Sequence, residues 1–358
     1  MSEAIKGKLL IMQEEPVING LYQQLNKKRM WRLVIICLFL TASLGLDVSI
    51  GSSWMNLFEI FNALISGPGS NSVNTTIVWQ LRLPLTLTCM MVGACLGLAG
   101  GLMQTLLANP LASPYTLGVS AAAGFGAAVA ILSGVTILGN TWLGVPIAAF
   151  IAAGLSSLAI YFIGKRQNMD AKVLVLAGIV ILFFFQALLS LAQYLASPEV
   201  LQQIVFWLFG SLLKANWVSV GVAGIILLIS IIWIYPKVWV LTALSSGDEQ
   251  AQALGINTSK IRLQVFLLCS LLTTGAVSFV GTIGFIGLVA PHLSRMLVGE
   301  DQRFYLPAAT LIGALLLTSA SLVSKVIIPG AIIPIGIITS LVGVPFLLYL
   351  LVSRRFNQ

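Results

Sequence analysis

Few side chains in this sequence have reactive chemistry, and they are scattered. His292 is the only histidine, in the run Gly287-Leu-Val-Ala-Pro-His-Leu-Ser-Arg295. A proton relay would need further histidines or carboxylates at membrane depth, so His292 reads as a structural residue near a helix end. Cys37, Cys89, Cys95 and Cys269 all fall inside apolar runs without metal-ligand spacing, and read as small hydrophobes rather than ligands or nucleophiles. No Asp or Glu lies well inside an apolar run; Asp47 and Glu59 stand near or beyond the end of the first. The mid-membrane ion site of a proton- or sodium-coupled carrier is therefore missing. There is no GxxxxGK[ST] loop to cradle a nucleotide phosphate. These residues predict no catalytic group, no metal site and no cofactor bound by the chain.

Three segments carry a different kind of information. Gly93, Gly97 and Gly101 repeat at four-residue spacing, with Gly100 beside them. Small residues on one helix face let backbones approach closely in lipid, which predicts a packing seam. Residues 109–120, Asn-Pro-Leu-Ala-Ser-Pro-Tyr-Thr-Leu-Gly-Val-Ser, hold two prolines four apart and cannot continue a regular helix. Residues 236–262 form a long loop containing Gly247-Asp-Glu-Gln-Ala-Gln-Ala-Leu-Gly-Ile256. Asp248 and Glu249 suit a helix start, and Gly255 suits its stop. Ala251, Leu254 and Ile256 offer an apolar contact, so a short amphipathic helix is expected there.

The elements that carry these segments follow from composition. Hydrophobic residues make up 58% of the chain and charged residues 8%, against roughly a quarter charged in ordinary globular domains. Lipid is the solvent that suits such a sequence. The net charge of +8 comes from short clusters between apolar runs, with no basic face bearing interleaved aromatics, which argues against nucleic acid. Runs near the roughly 20-residue length of a membrane helix fall at 33–51, 83–107, 117–138, 142–163, 173–195, 217–235, 263–281, 283–298, 304–323 and 335–352.

The expected fold is thus an all-α polytopic membrane protein with ten transmembrane helices. A polar segment, 1–30, precedes the bundle of 31–358. Placing both termini in the cytoplasm puts 16 of the 19 Lys and Arg inside, among them Lys6, Lys8, Arg354 and Arg355, and leaves Arg82, Lys214 and Lys325 outside. No charge occurs between Arg82 and Lys165, so an odd number of crossings separates them. Breaks at Asn109-Pro110 to Pro114 and at Gly139-Asn140 make that three. The stretch 263–298 must cross twice, with Gly281-Thr-Ile-Gly284 as its turn and one shortened helix.

Ordered motifs then add a resemblance. Arg82-Leu-Pro is followed by Gly93-Ala, Ala99-Gly with Gln104, Asn109-Pro-Leu-Ala-Ser-Pro and Leu117-Gly-Val-Ser120. Ala253-Leu-Gly255, Gly284-Phe-Ile-Gly-Leu-Val-Ala-Pro-His292 with Arg295, Pro334-Ile-Gly336 and Gly343-Val-Pro-Phe346 complete the series. Over 82–352 the chain resembles the permease subunits of bacterial iron-siderophore, haem and vitamin B12 ABC importers. The resemblance implies an inner-membrane subunit that is not itself an enzyme. Two cytoplasmic ATPase subunits holding ATP with Mg, a second permease and a periplasmic binding protein would complete the importer. It makes Gly247, Asp248, Glu249, Ala251, Leu254 and Gly255 the loop that couples to the ATPase. Arg82 and Lys325 would grip acidic side chains of the binding protein. Leu85 stands where the family usually has a second Arg, and Ser321 near where the ninth span usually has an acid, which favours a heterodimer with a related permease. The expected cargo is a ferric siderophore, with haem or vitamin B12 as alternatives and an ion-coupled carrier as the rival reading.

Overall fold

The computed structural model describes residues 2–51, 54–70, 72–135, 141–328 and 331–352. The turn expected at Gly139-Asn140 and the terminal Arg354 and Arg355 lie outside these residues, and the side chains of Lys6 and Lys8 are likewise not described. The described chain is helical between its connections. In order it forms α1 (Ser2–Ser49), α2 (Leu57–Ser66), α3 (Val73–Thr76), a π turn (Ile77–Arg82), α4 (Leu83–Leu107) and a 3-10 turn (Pro114–Leu117). Next come α5 (Val119–Ser133), α6 (Thr141–Arg166), α7 (Ala171–Leu195), α8 (Pro198–Leu208), α9 (Trp217–Ile234) and α10 (Val238–Ser245). The last are α11 (Asp248–Ala253), α12 (Thr258–Val280), α13 (Ile286–Val298), α14 (Gln302–Val326) and α15 (Ile335–Val352).

Seven helical stretches among the described residues are long and apolar enough to cross a membrane. Three shorter apolar helices, α5, α13 and α15, lie at the other three expected spans. The pair expected within 263–298 is present as α12 and α13, separated at Gly281–Phe285, and α13, with 13 residues, is the shortened one. α1 starts well before the apolar run, and Lys27-Lys28-Arg29, good helix formers, extend the helix toward the amino terminus.

α4 is the hub. Every residue from Val92 to Leu107 is buried, and α4 packs against α9, α12, α13 and α14. Its glycines explain how so many neighbours fit. A methyl on Gly93 would overlap the Gly313 carbonyl, and one on Gly97 would overlap that of Ala309, both on α14. Gly100 meets the Gly287 carbonyl of α13, so it belongs to a second contact rather than widening the first. Gly101 is less tight, its nearest neighbours being Leu306 and Ala309 side chains at 3.3 and 3.4 Å. By contrast α7 is peripheral, with 22% of its apolar window buried against 78% for the helix containing α4.

Gly97→Ala should therefore cost about 1–3 kcal/mol of stability, since two backbones must separate to admit a methyl. Gly154→Ala, in open space on α6, should leave stability unchanged or raise it by up to about 1 kcal/mol. Thermal unfolding of the purified chain in detergent distinguishes the two.

Candidate functional site

Four interrupted segments meet inside the bundle. They are the 3-10 turn at Pro114–Leu117, the bend after α8 at Phe209–Leu212, the break between α12 and α13, and the lead into α15 at Ile333–Pro334. Their backbones satisfy one another. The Ser211 amide donates to the Val280 carbonyl at 2.7 Å, the Ile335 amide to Gly210 at 3.0 Å, and the Gly336 amide to Phe209 at 3.1 Å. The Thr282 hydroxyl donates to the Leu208 carbonyl, and the Ile283 amide donates to the Tyr115 hydroxyl. Gly281 takes φ 79°, and any Cβ there would strike the Trp207 carbonyl, so only glycine makes this bend without strain. Phe285 holds φ 67°, a costly value for a large side chain, with its ring lodged where Gly343 of α15 leaves room.

This junction lines a cavity of about 430 Å³. Tyr115, Leu208, Phe209, Thr282, Gly284, Gly336, Ile337, Ser340 and Leu341 form its wall, which carries no charged side chain. Non-helical backbone at membrane depth is tolerated where it is buried in protein or faces a cavity, and interrupted helices mark binding sites in transporters. The sequence offered a signal in its paired Gly and Pro breaks, but only the fold brings the four together.

Beside the far end of α4 lies a second cavity of about 490 Å³, lined by Gln104, His292, Arg295, Glu300 and Tyr305 among others. Tyr305 donates to Gln104 there at 3.2 Å, and Arg295 pairs with Glu300 at 3.2 Å. Nearby, Asp301 caps α14 and pairs with Arg303 at 2.6 Å and Arg29 at 3.4 Å. The Arg303 hydrogen bond holds its carboxyl below the usual carboxylate range, against the opposing effect of burial.

The loop expected to couple is built around α11. Gly247 precedes it at φ 118°, and it closes with Gly255 at φ 78°, where the Ile256 amide donates to Ala251 and the Gly255 amide to Gln252. That pair of bonds is a Schellman ending, which favours glycine at the left-handed position. Asp248 pairs with Arg262 of α12 at 2.7 Å, and Arg262 Nε also donates to the Leu106 carbonyl at the end of α4, at 3.3 Å. Sequence reasoning did not single out Arg262, which ties the loop to the hub. Ala251 is fully buried while Leu254 is 71% exposed, so the expected apolar contact divides between an inward anchor and an outward face. Glu249 is exposed.

Arg82 and Lys325 come together at the opposite end of α4. Both were expected to face a partner, yet both turn inward. Arg82 is 7% exposed and donates to the carbonyls of Val48 and Ser49 at 2.8 and 2.7 Å. The Lys325 side chain is 5% exposed and pairs with Asp47 at 2.8 Å. Asp47 is fully buried inside α1 and accepts a second bond from the Thr86 hydroxyl of α4. A carboxylate expected near the end of a span is thus enclosed by three helices. The reason is that a charge removed from water must find its counter-ion within the protein.

A helical bundle with interrupted spans, an uncharged cavity open at the surface and a tied short helix at one end has the form of a multi-pass transport permease. The chain belongs to the FecCD transport family, whose model matches residues 33–353. It is 36% identical to an ABC transporter permease of Methanocaldococcus jannaschii, over 90% of this chain and 93% of that one. It is 30% identical to the vitamin B12 import permease BtuC of Vibrio cholerae, over 92% and 97%. A solved structure described as the inward-facing conformation of a metal-chelate type ABC transporter matches 90% of this chain and 98% of its own. Its TM-score is 0.79, at 31% identity. Together with its apolar helices, this makes the protein a multi-pass inner-membrane protein.

Removing one member of the buried pair should cost more than removing both. Lys325→Met strands the Asp47 charge and should destabilise by about 3–5 kcal/mol. Adding Asp47→Leu should recover much of that loss, read by thermal unfolding in detergent.

Proposed function

We propose that this chain is the membrane subunit of an ATP-driven importer that passes a ferric siderophore, or a related iron chelate, from periplasm to cytoplasm. The observation that carries this reading is the uncharged cavity at the helix junction. A bare metal ion would need carboxylate, imidazole or thiolate ligands, whereas an already chelated ion presents an organic surface that an apolar wall with a few hydroxyls can accommodate. Relatives named for iron(3+)-hydroxamate and hemin transport support the same substrate class.

In this reading ten helices cross the membrane with both termini in the cytoplasm, so the α11 end faces inward. The basic Arg29, Lys165, Arg166, Arg262, Arg295 and Arg303 then share the cytoplasmic side, as the positive-inside rule favours. Two ATPase subunits holding ATP with Mg dock on Gly247 to Gly255, with Asp248, Glu249 and the exposed Leu254 as the contact and Ala251 as the anchor. Arg262 passes their movement to α4. A second permease, most simply a related chain in a heterodimer, completes the passage. A periplasmic binding protein docks at the opposite end. Arg82 and Lys325 mark that docking end for its acidic side chains, with Lys325 keeping Asp47 as its counter-ion.

Reconstituted vesicles test the proposal. Uptake of a ferric siderophore should require ATP, the ATPase and the binding protein together. Uptake by this chain alone on a proton or sodium gradient would overturn it. Gly255→Val, which strains the loop ending, should leave ATP hydrolysis running while uptake per ATP falls severalfold. Unchanged coupling would remove α11 from the contact.

A further inference from the structure

α2 was not anticipated from the sequence, and none of the roles above uses it. It has three faces at about 100° per residue. Ile60 and Ala63 turn inward onto a small cluster with Val48, Met55 and Val78. Glu59, Asn62 and Ser66 form a polar strip, with Glu59 accepting from the Asn56 amide at 3.0 Å as the helix cap. Between them runs a third face of Leu57, Phe58, Phe61 and Ile65, which are 67, 73, 59 and 70% exposed. A contiguous apolar stripe of this size is uncommon against water.

We infer that α2 is an in-plane membrane anchor whose third face lies in the lipid at the bilayer boundary. Its level is set by bonds to the membrane-spanning helices on either side. The Met55 amide donates to Ser49 at the end of α1, and the Trp79 indole donates to the Ala63 carbonyl of α2. Trp79 lies in the π turn near the start of the long apolar stretch Val73–Leu107. Trp217, at the first turn of α9, stacks near Trp79 at 6.0 Å and donates to its carbonyl. With Trp54, 66% exposed just before α2, these indoles form a local aromatic girdle of the kind found at membrane–water boundaries.

After the polar connection 66–72 the chain returns to apolar surface at the start of that span, where Val73 and Leu81 are 72 and 64% exposed. Lipid covers that surface, and the same lipid reaches α2. The helix contains no Lys or Arg, so its attachment comes from apolar area and not from attraction to anionic headgroups. The polar strip then faces water, which the separation of the three faces allows without tilting the helix off its protein contact.

Site-directed spin labelling of the full chain tests this. Cys37, the exposed cysteine, is replaced by Ser, and nitroxides are attached at Phe58→Cys, Ile65→Cys and Asn62→Cys. The protein is placed in vesicles of phosphatidylethanolamine and phosphatidylglycerol. Oxygen, which concentrates in lipid, should out-collide a water-soluble nickel chelate at 58 and 65. The ratio should reverse severalfold at 62. Leu57→Cys repeats the lipid-face measurement should Phe58→Cys fail to fold. Nickel-dominated collisions at 57, 58 and 65 would place the stripe in water. Immobile labels shielded from both reagents would place it against protein, either a second permease or a docked partner. Either result overturns the inference.

Discussion

A chain in lipid has no water with which to satisfy an unpaired amide or carbonyl, and this constraint governs the rest of the structure. Helices meet it internally, so a broken helix needs partners from elsewhere in the protein. Here the bend at 209–212 is met by the end of α12 and the start of α15, the break at 281–285 takes the Tyr115 hydroxyl and the Leu208 carbonyl, and Ile333 bonds to Ser324 of α14. Each break would be unstable alone. Together they make an irregular wall around a cavity, which four uninterrupted helices could not form. Phe285 holds its left-handed backbone where Gly343 leaves space for the ring.

Around this junction the helices are held to one another by close backbone and charged contacts. The contacts of α4 with α14 and α13 at Gly93, Gly97 and Gly100 are close approaches to backbone, chiefly the carbonyls of Gly313, Ala309 and Gly287. At one end the Asp47–Lys325 pair, with Thr86, binds α1, α4 and α14 together. At the other, Arg262 joins the short helix α11 to the last turn of α4. The short helix is thereby tied to the hub through a charged contact whose net electrostatic contribution is modest, since Asp248 remains 40% exposed. Its value is geometric.

Much of this was legible beforehand. Apolar runs gave the positions of the long helices, because a lipid-facing segment must be apolar along its whole length. Gly93 and Gly97 announced a close contact, and Gly255 announced the end of α11, because in each case the residue type answers a local steric demand. Asp47 does stand at the edge of its span, two residues from the end of α1, but its burial against Lys325 was not legible, because that counter-ion is 278 residues away and no local pattern joins them. α2 escaped notice for a related reason. Its ten residues are too short for a span, and a helix with three faces shows no simple alternation of apolar and polar positions.

The sequence by itself determined that the chain is a helical membrane protein, where its long helices run and which glycines must lie against neighbours. These follow from the solvent and from the size of single residues. Only the tertiary structure decided that separate breaks meet at one cavity, that Arg82 and Lys325 turn inward, and that Arg262 bonds the 247–256 loop to the last turn of α4. Each of those depends on which distant backbone or charge arrives alongside, and a linear pattern holds no distance between residues far apart in the chain.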